Sequence, residues 1–248
     1  MSARSVKWLY AVLLLLAALL FVSEGAEAID PEWSYETGGD VRSVAVSADG
    51  EYYVVGSDDS KVYLFDKDSS TPLWSYEAVD TVRSVSISAD GRYVAVGTNA
   101  AGDYSDGIVY IFGNWNSTPL WSYNITTGEN AVSVSISADG AYISVGSSDN
   151  KIYFFSRDSS TPLWNYTAEG DVDSIAISAD GAYIAAGSTD DKVYLFDKDS
   201  STPLWSYTTG DYVASVAISA DGASIAAGSW DDKVYLFDKD SSTPLWSY

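Results

Sequence analysis

Carboxylates dominate the reactive side chains of this 248-residue chain: 27 Asp and 8 Glu stand against 13 Lys and Arg, and His and Cys are absent. Without imidazole or thiol there is no Ser-His-Asp triad, no thiolate nucleophile, no soft-metal site and no disulfide. Two chemistries remain open to acids alone. A pair of carboxylates about 5 to 9.5 Å apart could hydrolyse a glycosidic bond. Alternating carboxylates could cage calcium, and Asp66-Lys67-Asp68, Asp197-Lys198-Asp199 and Asp238-Lys239-Asp240 resemble the opening of such a loop. The glycine and the distal bidentate Glu of an EF-hand loop are missing, so these acids are expected to sit in turns, and no metal or other cofactor is expected.

The formal net charge of -22 repels phosphate backbones and excludes nucleic acid as a partner. At the N-terminus, Arg4 and Lys7 precede an apolar run from Trp8 to Val22, and Ala26-Glu27-Ala28 supplies an Ala-x-Ala pattern. These are the three regions of an export signal in order, with cleavage expected after Ala28. The run is shorter than the roughly 20 residues that span a bilayer, so membrane association is expected only through residues 8–22, if they are retained. Asn116, Asn124 and Asn165 open Asn-x-Ser/Thr sequons and are glycosylation candidates in an exported protein, extracellular or at the cell surface.

The acids are positioned by a repeat. Ala-Asp-Gly recurs with its Asp at Asp49, Asp90, Asp139, Asp180 and Asp221, at spacings of 41, 49, 41 and 41 residues. That period is the mark of a propeller or solenoid. One unit, Val172 to Tyr207, reads as four short strands separated by Asp180-Gly181, Asp190-Asp191 and the connection Asp197 to Pro203. In Val193-Tyr194-Leu195-Phe196 every position is apolar, so neither face of the sheet is written for water. A sheet covered on both faces by copies of itself is a propeller blade.

Val213 to Gly222, followed by Ile225 to Ser229, resembles WD-repeat proteins, while Lys233 to Asp238 through Pro244-Leu245-Trp246 resembles the quinoprotein (PQQ-like) repeat. The likeness covers residues 31–248 and implies an all-β propeller of four-stranded antiparallel blades. The chain lacks the Gly-His and Trp-Asp pairs of WD repeats, and it shows no counterpart of the quinone site that the second likeness would imply. The expected organisation is a signal segment over 1–28, a surplus N-terminal strand over 29–40 and a five-bladed propeller over 41–248. The strand is surplus because Trp-Ser-Tyr or its variant occurs six times, from Trp33 to Trp246, against five inner units. It is expected at the seam of a closed ring; the alternatives are a fragment of a longer array, or subunits that pair through residues 32–36.

The Ala-Asp-Gly turns do not vary among the units and define one rim. The opposite rim differs in every unit, and there Asp103, Tyr104, Asp171, Asp173, Asp190, Tyr212, Trp230 and Asp231 are the candidate ligand-binding residues. Trp230 replaces Thr189 and Tyr212 replaces Asp171 of the preceding unit, so the blade does not require these aromatics. Exposed aromatics among carboxylates suit sugars or cationic groups. The innermost strands, such as Ser174-Ile175-Ala176-Ile177-Ser178, carry no acid; only the position before them varies in charge, as Arg42, Arg83, Val132, Asp173 and Ala214. No catalytic residue is therefore assigned. The expected function is non-catalytic recognition of a protein or glycan across the variable rim. The alternatives are a self-assembling surface component and a glycoside hydrolase.

Overall fold

Short β-branched and aromatic runs between Asp-Gly, Asp-Ser and Ser-Pro turns have no room for helices, and every regular element is a strand in the computed structural model, which describes residues 31–99, 106–125 and 129–248. The chain divides into two units, residues 1–34 and Tyr35–Tyr248. The second unit is an array of five four-stranded antiparallel sheets. Blade 1 comprises β1 (Val41–Val46), β2 (Tyr52–Ser57), β3 (Lys61–Asp66) and β4 (Trp74–Glu77). Blade 2 comprises β5 (Val82–Ile87), β6 (Tyr93–Thr98), β7 (Ile108–Gly113) and β8 (Pro119–Asn124); blade 3, β9 (Ala131–Ile136), β10 (Tyr142–Ser147), β11 (Lys151–Ser156) and β12 (Trp164–Thr167). Blade 4 follows as β13 (Val172–Ile177), β14 (Tyr183–Ser188), β15 (Lys192–Asp197) and β16 (Trp205–Thr208), and blade 5 as β17 (Val213–Ile218), β18 (Ser224–Ser229), β19 (Val234–Asp238) and β20 (Trp246–Ser247). Each sheet is a simple meander, and β1, β5, β9, β13 and β17 pack on one another as the inner strands.

The third strand of each inner blade is buried on both faces, as the unbroken apolar runs require: Val193, Tyr194, Leu195 and Phe196 are all buried. Four apolar cores form, one at each junction between consecutive blades. Three polar contacts repeat beside them. On the constant rim the amide of Ala48 donates to the carbonyl of Ala89, Ala89 to Ala138, Ala138 to Ala179 and Ala179 to Ala220, at 2.9 to 3.0 Å. Nearer the axis, Val85, Val134, Ile175 and Val216 donate their amides to the hydroxyls of Ser43, Ser84, Ser133 and Ser174 of the preceding blade. At the periphery the outer-strand indoles of Trp74, Trp164 and Trp205 donate to Asn114, Lys198 and Lys239 of the following blade, at 2.8 to 2.9 Å, and Trp121 does the same to Arg157.

Among the described residues, none of these contacts is made between blade 5 and blade 1. Val44 is 69% exposed, whereas its counterparts Val85, Val134, Ile175 and Val216 are 6 to 8% exposed. Leu245, Trp246 and Tyr248 are exposed at the other end. The array is thus open at one seam, unlike the closed ring expected from the repeat count. Over the described part of the segment expected as a strand at 29–40, residues 31–40, no strand is formed. Tyr35 nevertheless packs on Tyr63 and Phe65 of blade 1. The signal segment, its cleavage site, and Asp103 and Tyr104 lie outside the described residues.

Candidate ligand-binding rim

The constant rim is closed by internal bonds. In the turn of blade 3 the Ser137 hydroxyl donates to Asp139 Oδ1 at 2.7 Å, the amide of Ala141 donates to the same oxygen, and the amide of Tyr142 donates to Ser137 Oγ. The pattern recurs in all five blades. Asp49, Asp180 and Asp221 are held below the usual carboxylate range, first by the serine hydroxyl and then by a backbone amide. Asp66, Asp197 and Asp238 accept the amides of Asp68, Asp199 and Asp240, the turn role expected of the Asp-Lys-Asp triplets. Among the described residues no group of three acids is placed to hold a metal ion.

The opposite rim divides into two kinds of residue. Asp190 and Asp231, both candidate ligand residues, are clamps of the hairpin between the second and third strands. Asp231 Oδ2 accepts the Tyr235 hydroxyl and the Gly210 amide, while Oδ1 accepts the Lys233 amide. Asp190 does the same with Tyr194, Glu169 and Lys192, and Asp59 with Tyr63, Gly38 and Lys61. Burial alone would push the Asp231 carboxyl up, but the bonds from Tyr235, Gly210 and Ser229 outweigh it and bring the pKa to about 2. The burial of Tyr235, reinforced by its bond to Asp231, pushes its phenol up to about 12.

Trp230, Tyr212, Asp171 and Asp173 take no such part. Trp230 and Tyr212 are 66% and 43% exposed, with ring centroids 5.6 Å apart, and the amide of Trp230 donates to the carbonyl of Tyr212. The two off-template aromatics are therefore one surface feature on blade 5. Asp171 is held above the usual carboxylate range, first by burial and then by the neighbouring charges of Asp173 and Glu129.

The inner strands carry a further device. In every blade the register between first and second strand slips by one residue: Val41 pairs with Ser57 and Ser43 with Gly56, leaving Arg42 unpaired. The same β-bulge leaves Arg83, Val132, Asp173 and Ala214 as the extra residue. A bulge re-aims its extra side chain. Four of the five, Arg42, Arg83, Val132 and Asp173, line one cavity of about 550 Å3 beside the inner strands of blades 1 to 4, with Asp58, Thr81 and Asn99 completing it. Arg42 Nε donates to both carboxylate oxygens of Asp58 at 2.8 Å, and its Nη2 also reaches Asp58. That pairing holds Asp58 below the usual carboxylate range. The cavity joins one candidate residue, Asp173, to two arginines whose only sign in the sequence was the change of charge at a position the blade leaves free.

Two overlapping segments, residues 23–207 and 105–248, match a repeat family described as outer membrane protein assembly factor BamB. The chain belongs to this family. No curated protein matches it. Family membership accounts for the blade and its docking tryptophans. It does not account for Trp230, Tyr212 or the bulge residues, which differ from one repeat to the next within this chain.

Proposed function

We propose that this chain is an exported, non-catalytic β-propeller that binds a partner protein across its variable rim, with Trp230 and Tyr212 as the anchoring pair. The observation that carries this reading is the exposed contact between two aromatics that the repeat does not require. Aromatic anchors are enriched where proteins bind one another, because a large rigid side chain offers area at little entropic cost. The family description, an assembly factor, favours a protein over a glycan as the partner. The signal-like residues 1–28 and the exposed sequon asparagines Asn116, Asn124 and Asn165 support an extracellular, surface or periplasmic site of action. Of the two carboxylates that line the cavity, Asp58 is held ionised by Arg42 and only Asp173 is left unpaired, which favours binding over glycoside hydrolysis. The test is a photo-crosslinking residue placed at Trp230 in the producing cell. A discrete protein adduct that disappears in Tyr212→Ala supports the reading; no adduct, or glycan capture by the purified chain instead, overturns it.

A second reading, self-association, is favoured by the open seam. The exposed face of blade 5 is built like the faces of blades 1 to 4, which pack on their successors, and the exposed face of blade 1 is built like those they pack against. Such faces complement one another head to tail. Light scattering on the chain and on Val44→Glu tests it. Oligomers that the substitution dissolves support it, and a monomer in both cases removes it.

A further inference from the structure

The cavity lined by the bulge residues of the inner strands is bipolar. In a chain with 35 acids and 13 bases, Arg83 donates no hydrogen bond and enters no ion pair among the described residues, although it lines the same cavity as Asp173. Asp173 likewise has no hydrogen-bonding or ion-pair partner among the described residues, and it stands two residues from a second acid, Asp171. The neighbouring Arg42 turns its Nε and Nη2 to Asp58, so Arg83 offers the cavity's one guanidinium without a carboxylate partner among the described residues. Arg83 and Asp173 stand on blades 2 and 4, with Val132 of blade 3 between them and no ion pair closing the gap. Asn99 donates Nδ2 to Thr81 Oγ1 at 2.7 Å, while its own Oδ1 is buried without a donor among the described residues. A buried acceptor left unmet is uncommon and adds a polar wall on the arginine side.

We propose that this cavity is a binding site for a small zwitterion, a short peptide with free termini, whose carboxylate pairs with Arg83 and whose ammonium pairs with Asp173. The fork of Arg83 matches a carboxylate in a bidentate manner. Two fixed opposite charges separated by an apolar residue select a ligand whose own charges are separated, and the volume suits a peptide of two or three small residues. A macromolecular partner enters neither step: the site is distinct from the aromatic pair on blade 5, and its ligand is small.

Calorimetric titration of the full chain with trialanine tests this, beside N-acetyl-trialanine and trialanine amide, which each lack one charge. The expected result is saturable binding of trialanine and a loss of about tenfold or more in affinity for each blocked peptide. Arg83→Gln should abolish the preference for trialanine over its amide, and Asp173→Asn the preference over the acetylated peptide. Arg92→Gln, on the constant rim, should bind like the parent chain, and matching melting curves exclude misfolding as the cause of any loss. Absence of binding at millimolar trialanine, or equal affinity for all three peptides, overturns the proposal. Binding that depends on the carboxylate alone does so too, since it reduces the cavity to an anion site.

Discussion

Tyr35 meets Phe65 edge-on, with ring centroids 5.1 Å apart at 64°, although Tyr35 belongs to no blade. The same relation holds between Tyr76 and Phe112, Tyr123 and Phe155, Tyr166 and Phe196, and Tyr207 and Phe237, at 5.1 to 5.2 Å. In those four cases the tyrosine comes from the outer strand of the preceding blade. Blade 1 therefore receives, from the segment before it, the aromatic contact that a preceding blade would supply. Tyr248, at the matching place on blade 5, is 94% exposed.

The open seam separates two glycines that the repeat makes equivalent. Gly91 has φ +68°, and a Cβ there would meet the Tyr52 ring at 2.4 Å; Gly50 has φ +73° with nothing within 4 Å. Gly50→Ala should cost about 1 kcal/mol, the backbone penalty of the left-handed region. Gly91→Ala should cost about 1 to 3 kcal/mol more, for overpacking the junction. Denaturant unfolding measures both; equal losses would show that the seam is filled in solution.

Asp231 and Asp173 lie on the same rim, yet their removal should have very unequal consequences for stability. Asp231→Ala leaves the buried Tyr235 hydroxyl without its acceptor and should cost about 1 to 3 kcal/mol. Asp173→Ala removes an exposed side chain without a partner and should stay within about 0.5 kcal/mol. Because the folded pKa of Asp231 is depressed to about 2, its contribution is present above the ordinary carboxylate range and fades as the pH falls toward 2. Asp231→Asn should flatten that part of the acid unfolding curve.

Asp171 has the reverse sign. Its folded pKa is raised, by burial first and then by Asp173 and Glu129, so the folded state favours its protonated form and loses that advantage as the pH rises through the raised value. Asp171→Asn should therefore raise the melting temperature at pH 7 and leave it unchanged at pH 3. A lower melting temperature at pH 7 would contradict the assigned charge relationship.

Trp230→Ala and Tyr212→Ala should each change stability by no more than about 1 kcal/mol, the value of an exposed aromatic pair. Tyr212→Ala should also lose the partner adduct formed by the crosslinker at position 230. A large stability loss would instead place the pair in the framework of blade 5.

The blade was legible because each of its positions is sampled five times. Recurrence identified the Ala-Asp-Gly turns, the docking tryptophans and the doubly buried third strand without reference to any other protein. The seam was not legible, because Trp33-Ser34-Tyr35 and Trp246-Ser247-Tyr248 are the same words and closure depends on where they end up in space. Asp190 and Asp231 look, as residue types, like any rim carboxylate; the available signal was a tyrosine four residues on, at Tyr194 and Tyr235, as at Tyr63 after Asp59. Arg83 was hidden for a different reason. A one-residue bulge shows only against the partner strand, so the sequence displayed a varying charge but not the cavity it faces.

An array with two ends behaves differently from a ring when it comes apart. Blades 2, 3 and 4 are each flanked by two neighbours, whereas blades 1 and 5 have one, and the rim bonds from Ala48 to Ala220 run in a single direction between them. Unfolding is then a fraying process that starts at the termini and works inward, in the manner of a zipper. Amide exchange should be slowest in β9 to β11 and fastest in β1 and β19, and any ligand that bridges blades 2 and 4 would slow the centre more than the ends.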